Sequence, residues 1–306
     1  MNRHVRNGLL VAAAAGVCAA AVWGGLWYRA RPEKPGALLE RIPTSDALVV
    51  YLDFAALRHD GLLRVLESSK IAEEPEYRDF ARRIEFDYRQ DLDSALLAVA
   101  PTGNFLLAQG RFHWDRLRAY AQSQNGRCAG SLCRMPGSTP ERRISFFPVR
   151  SNLMALAVST DESAALRLAN AGSGPEPAVP EAPLWVFIPS SVLQSGESLP
   201  EEARRFAHSL SRADSVILAL VPESSRFAAK LTVRCHDDQD AANLASQLTG
   251  TTTALRQILS SQKHLPSPTD FTGVLTSGSF RSEGARVYGY WPLERALLEN
   301  LLGAAN

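Results

Sequence analysis

The chain is poor in cysteine. Four in 306 residues exclude the disulfide-dense scaffolds of small secreted domains. It also lacks an excess of either charge: lysine plus arginine number 33 and aspartate plus glutamate 32, so no strong field is available to hold nucleic acid. Three catalytic signatures are missing, namely the G-x-S-x-G nucleophile turn, the P-loop and G-x-G-x-x-G. Apolar residues are not scarce. At 45% apolar and 21% charged, the composition excludes disorder and collagen and suits about two folded domains.

One stretch stands apart: residues 8–28 carry no charged side chain. A helix of that length spans about 31 Å, close to the roughly 30 Å hydrocarbon core of a bilayer. Trp23, Trp27 and Tyr28 cluster at its end, where amphipathic rings favour the membrane interface. Arg3 and Arg6 precede it and Arg29, Arg31 and Lys34 follow, so flanking charge alone decides little about orientation. The segment reads first as an uncleaved signal anchor. Cleavage after Ala19-Ala20-Ala21 is a second reading, but it leaves the apolar start Val22–Tyr28 on a soluble protein. Acylation of Cys18 is a third. Beyond residue 36 the chain holds 28 basic against 31 acidic residues, which gives it no electrostatic attraction to nucleic acid or anionic lipid.

Composition divides the rest. Residues 29–36 (RARPEKPG) read as a short tether and residues 172–183 (GSGPEPAVPEAP) as a Pro/Gly-rich linker. Between and after them lie two parts of similar length, 37–171 and 184–306. DSALLAVAP at 93–101 matches DSVILALVP at 214–222 at five of nine positions, with aliphatic exchanges at the other four. Each run leads to another apolar strand, beginning at Phe105 or Phe227, and then to a polar cap and an Ala/Leu-rich helix. The two parts read as related halves.

Short apolar runs predict strands at 47–54, 95–100, 153–158, 184–188 and 216–221, buried on both faces. Alternation from Phe227 to Arg234 predicts a half-buried strand, and 144–149 and 286–291 are further strands. A 3.6-residue period predicts helices at 55–68, 76–88, 114–124, 161–171, 201–211, 238–248 and 293–302. Ser159 and Glu162 have capping-box spacing, Gly126 and Gly172 suit helix C-caps, and Pro292 suits a first helical turn. Paired strands between helices give an α+β class: an N-terminal transmembrane helix, then two halves of antiparallel hairpins with covering helices. A parallel α/β sheet would need a helix after nearly every strand.

Candidate chemistry is sparse. Cys128 and Cys133 flank the four-residue turn Ala129–Leu132 and suit a disulfide closing a hairpin outside the cytoplasm. Cys235-His236-Asp237-Asp238 has metal-like residue types but points them in different directions, so Asp237 or Asp238 is better read as the cap of the next helix. His113-Trp114-Asp115 reads as a helix start rather than a dyad. Asp91 and Asp93 read as a solvated turn into a strand, and Thr276-Ser277-Gly278-Ser279 as strand or bulge. Arg82-Arg83, Arg142-Arg143 and Arg204-Arg205 read as solvated basic pairs. No catalytic, cofactor or metal residue is assigned.

The opening of the folded part, Ile42-Pro43-Thr44-Ser45-Asp46 through Tyr51-Leu52-Asp53, resembles uncharacterised bacterial envelope proteins in which a P-x-x-D-x-x-x-x-Y-x-D strand follows an N-terminal membrane segment. Gly110-Arg111-Phe112 with Asp115, Leu275–Phe280, and Trp291-Pro292 are similar to the same group. The resemblance implies membrane tethering and an external domain. It implies no activity.

Together these observations predict a cytoplasmic head and signal anchor at 1–28, placing a non-catalytic binding or scaffolding body outside the cytoplasmic membrane. The expected partners are the membrane, through residues 8–28, and an envelope protein. A tethered carrier of apolar ligand or lipid is the alternative, requiring a mostly apolar pocket of about 300 Å³ or more. A hydrolase would require His113, Asp115, Asp91 or Asp93 to meet in one cleft.

Overall fold

The computed structural model describes residues 32–63, 75–170, 179–196, 212–224, 226–261 and 270–297, with Leu210 and Ser267. The predicted membrane segment, the helix at 201–211 apart from Leu210, and Gly172 lie outside these residues. Among the described residues no helix is long and apolar enough to cross a membrane.

The chain opens with α1 (Pro35–Leu39), β1 (Leu48–Asp53) and α2 (Phe54–His59), followed by α3 (Pro75–Ile84) and α4 (Tyr88–Asp91). The hairpin β2 (Leu92–Ala100) and β3 (Gly103–Gly110) leads to α5 (Trp114–Ser123). Next come β4 (Arg127–Ala129), β5 (Leu132–Pro136), β6 (Arg143–Arg150), β7 (Leu153–Ser159) and a 3₁₀ turn at Ala164–Leu168. Then follow β8 (Leu184–Pro189), α6 (Ser190–Ser195), β9 (Ser215–Glu223), β10 (Arg226–Arg234) and α7 (Asp238–Ser261). The last elements are α8 (Phe271–Ser277), β11 (Ser279–Glu283) and β12 (Arg286–Leu293).

All twelve strands form one sheet in the order β11-β12-β10-β9-β8-β1-β2-β3-β7-β6-β5-β4. Every pairing is antiparallel, which gives an α+β class and not the parallel α/β alternative. The centre is a long-range contact: β1 pairs with β8, Tyr51 opposite Trp185 and Val50 opposite Val186. β2 and β9, which carry the two similar runs DSALLAVAP and DSVILALVP, flank this pair on either side.

Strand alternation gives the sheet a Tyr51 face and a Val50 face. On the Tyr51 face, Val49, Leu96, Phe105, Leu107, Leu153 and Trp185 pack under α1 and the 3₁₀ turn, through Leu38, Ala164 and Leu168. The Val50 face is covered at its ends and, beside Leu52 and Leu220, by Leu57, Leu62 and Leu63. Ile84, Leu117 and Ala121 cover one end, and Ala241 and Ala245 pack on Leu231 and Val233 at the other. One aliphatic row crosses this face without a break, each residue opposite the next: Leu156, Leu106, Leu97, Val50, Val186, Leu218 and Leu231. Leu231 is buried, but Leu218 is 40% exposed and the five others are half-buried. Burial on both faces, expected from unbroken apolar runs, is therefore incomplete here.

Several boundaries differ from expectation for local reasons. Helix 76–88 breaks at Glu85, where φ is +50°, and Asp87 caps α4 through Arg89 N at 3.0 Å. Ser159 does not form a capping box. It ends β7, and its hydroxyl donates to Thr102 O at 2.8 Å. Asp161 instead accepts from Ser163 N at 2.9 Å, and only a 3₁₀ turn follows. Asn125, not Gly126, takes the left-handed conformation after α5, with φ of +59°. Thr276 and Ser277 end α8 rather than forming strand, because Asp270 caps that helix by accepting from Thr272 N at 2.8 Å and Gly273 N at 3.1 Å. Pro292 lies in β12 opposite Ala228. It is tolerated there because β11 stops opposite Tyr290, leaving the proline's other side without a ladder partner.

Gly103 turns the β2–β3 hairpin with φ of +140°, and a Cβ there would lie 2.6 Å from Val158 O. Strain and overlap act together, so Gly103→Ala is expected to lower stability by about 2–3 kcal/mol in urea denaturation. A loss below about 0.5 kcal/mol would mean that β3 and β7 shift apart freely.

Candidate central cleft

The β1–β8 contact supports a cleft of about 710 Å³ on the Tyr51 face. Pro35, Gly36 and Tyr51 line one side, Val221 and Pro222 another, and Val179 to Pro183 a third. Lys34, Asp53 and Glu181 supply its charged groups. The last residues of the expected linker thus form a wall. They are fixed where Asp53 N donates to Pro183 O at 2.7 Å. Asp53 also caps α2, accepting from Ala56 N at 2.8 Å.

Tyr51 stacks on Trp185 beneath the cleft, with centroids 5.3 Å apart and planes at 21°. Trp185 is 1% exposed, and its Nε1–H has no acceptor among the described residues. Burial pushes the Tyr51 hydroxyl up to about 12, and the Asp53 carboxylate adds to the shift, while a hydrogen bond to Ser94 opposes it. The raised value sits in the folded state. This contribution is therefore fully present below pH 10.0, the ordinary tyrosine value, and is lost as pH rises to about 12. Tyr51→Phe should flatten the fall in stability across that window. An unchanged slope would exclude Tyr51 as its source.

A buried polar chain leads from Tyr51 to the start of the described body. Gln109, 1% exposed, donates from Nε2 to Ser94 Oγ at 2.9 Å and to Glu33 O at 2.9 Å. Its Oε1 accepts from Glu33 N, so the side-chain amide serves Glu33 as a neighbouring strand would. The Glu33 carboxylate takes Arg41 on both oxygens at 3.1 Å and Arg150 at 2.9 Å. Arg41 continues to Ala169 O at 2.7 Å. Glu33 to Gly36, half of the expected tether, are thereby docked on the body.

The residues singled out from the sequence are dispersed. Cys128 and Cys133 are joined as a disulfide across β4 and β5. The Asp91 carboxylate accepts from Asp87 N at 2.8 Å and pairs with Arg111 at 3.0 Å, while Asp93 lies 3.8 Å from Arg58. His113 precedes α5 and Asp115 lies in its first turn. No hydrogen bond or ion pair among the described residues links any two of these four. Asp237 accepts from Asp240 N at 2.8 Å as the cap of α7. Cys235 is buried and unbonded, and burial pushes its thiol up, with Asp240 adding to it.

The cleft and its polar chain were not assigned from sequence. One signal was present: Gln109 is the only polar side chain in the run Phe105–Gly110, on a strand whose neighbours are aliphatic.

No protein-family model and no curated protein matches the chain. Crystal form I of TP0453 is similar, with a TM-score of 0.50 and 10% identity over 88% of this chain and 97% of that chain. Crystal form III of TP0453 gives 0.49 and 11% over 87% and 96%. At such identity the likeness to form I speaks for the fold alone.

Proposed function

We propose that this is a single-pass protein of the bacterial cytoplasmic membrane, anchored by residues 8–28, whose extracytoplasmic body is a non-catalytic binding or scaffolding module for an envelope partner. The observation that carries the reading is the docking of Glu33. Only residues 29–32 separate Tyr28 from a residue wired into the core by Gln109, Arg41 and Arg150. An extended chain covers at most about 3.5 Å per residue, so an anchor ending at Tyr28 would hold the body within about 17 Å of the bilayer. Lys34, Pro35 and Gly36 line the central cleft, which would then open close to the membrane surface. The resemblance to envelope proteins with a membrane segment before a P-x-x-D-x-x-x-x-Y-x-D strand supports the same placement. The disposition of the similar runs on β2 and β9, about the β1–β8 contact, supports an origin of the body by duplication.

A tethered carrier of apolar ligand is the second reading. It is favoured by the cleft's volume of about 710 Å³, above the roughly 300 Å³ a ligand pocket needs, and by its many proline, valine and alanine walls.

Two experiments test these readings. Alkaline phosphatase fused after Asn306 should be active and green fluorescent protein dark; fluorescence without phosphatase activity overturns the placement. A photo-crosslinking residue at Val221, in the cleft, should trap a discrete species in cells, whereas one at Gln257 on exposed α7 should not. A protein adduct supports the scaffold and a lipid adduct the carrier. Labelling no greater from 221 than from 257 rejects the cleft as a binding site.

A further inference from the structure

The far end of the Tyr51 face holds a second cleft of about 410 Å³, lined by Arg127, Arg134 and Arg143 with Asn125, Met135 and Glu162. The disulfide fixes its geometry. Pairing Cys128 with Cys133 sets the β4–β5 register that places Arg127 directly opposite Arg134. Like charges directly opposed across a ladder are destabilising, and no carboxylate is bonded between these two. Arg134 Nη2 donates to Ser163 Oγ at 3.2 Å. Its Nε is buried and has no acceptor among the described residues, where the carboxylate paired with it, Glu162, lies 3.9 Å away, beyond hydrogen-bond reach. Asp161 is taken by Arg167 at 3.0 Å and by Ser163 N at 2.9 Å. The side chains of Arg127 and Arg143 have no hydrogen bond or ion pair among the described residues. Arg143, exposed like Arg142, also lines this cleft.

Three guanidinium groups against one carboxylate leave the cleft lining with a net charge of +2. A phosphomonoester carries about −1.5 to −2 at pH 7 and offers three acceptor oxygens. The guanidinium fork matches those oxygens. A carboxylate monoanion would leave about half the positive charge uncompensated. We propose that Arg127, Arg134 and Arg143 form a binding site for the phosphate of a phosphomonoester, carried by a soluble metabolite or by a lipid headgroup. The site is separate from the central cleft and does not depend on how that cleft is used.

The test is calorimetric titration of the full chain in zwitterionic detergent with glycerol 3-phosphate and, separately, with dihexanoyl phosphatidic acid. Saturable binding is expected, with a dissociation constant of about 1 mM or tighter. Arg134→Gln, and the double change Arg127→Ala with Arg143→Ala, should each weaken it by about tenfold or more. Arg118→Ala on the exposed face of α5 should not. Arg127 and Arg143 are exposed, so the double variant folds even where Arg134→Gln does not, and its unchanged melting transition separates binding from folding. Equal affinity for both ligands assigns the site to soluble phosphomonoesters. Tenfold preference for the phosphatidic acid assigns it to a headgroup. No saturable binding of either ligand, or binding that survives the double variant or falls equally with Arg118→Ala, overturns the proposal.

Discussion

Glu33→Ala should destabilise the body by about 3 kcal/mol, although Glu33 lies within a segment that reads as a tether. The side chain is 8% exposed, and its main partner Arg41 is 11% exposed. Removing the carboxylate strands a guanidinium largely shielded from water, and an uncompensated buried charge dominates the cost of breaking such a pair. Arg150 is 45% exposed and simply returns to solvent. Arg41→Ala should cost less, about 1–2 kcal/mol, because the carboxylate keeps Arg150. Urea denaturation of the detergent-solubilised chain, followed by tryptophan fluorescence, measures both. A Glu33→Ala loss under about 1 kcal/mol, or one no larger than that of Arg41→Ala, would show that water already reaches the pair.

Trp185 supplies the second large effect. Trp185→Ala empties the space under the central cleft and removes the stack on Tyr51, a change that costs about 3–5 kcal/mol in a packed core. Trp185→Phe removes less volume and also removes an N–H that has no acceptor among the described residues. Relief of an unsatisfied buried donor is worth about 1–3 kcal/mol, enough to offset the lost ring, so the phenylalanine variant should lie within about 1 kcal/mol of the parent. The same denaturation series reads both variants. Equal losses for alanine and phenylalanine would mean that Nε1–H has a partner, such as a bridging water.

Local order was legible in the sequence where one interaction governs it. The runs ALVVYLDF, LMALAV and LWVFI fell on β1, β7 and β8, and alternation from Phe227 placed β10. The caps at Asp237 and the helix start at Trp114 followed from short-range hydrogen bonding. Competition between neighbours was harder to read. Ser159 had the right spacing for a cap, but a distant carbonyl, Thr102 O, takes its hydroxyl. Pro292 looked like a helix start because nothing local reveals that β11 ends before reaching it. The pairing of Tyr51 with Trp185 joins residues 134 positions apart (185 less 51) and leaves no periodic trace in either strand. The central cleft, which depends on that pairing, was therefore out of reach. The arginine cleft was closer: Arg127 and Arg134 sit symmetrically about the Cys128–Cys133 turn, so closing that hairpin already sets them abreast.

The β1–β8 seam also bears on biogenesis. As the polypeptide emerges, β1 finds β2 within some forty residues, but its other edge waits until β8 has been made, more than 130 residues later. Until then Leu48-Val49-Val50-Tyr51-Leu52 presents an unguarded apolar border with free backbone donors and acceptors. Each nascent copy therefore passes through a sticky half-sheet, and crowding of such copies would favour strand exchange between neighbours over closure within one chain.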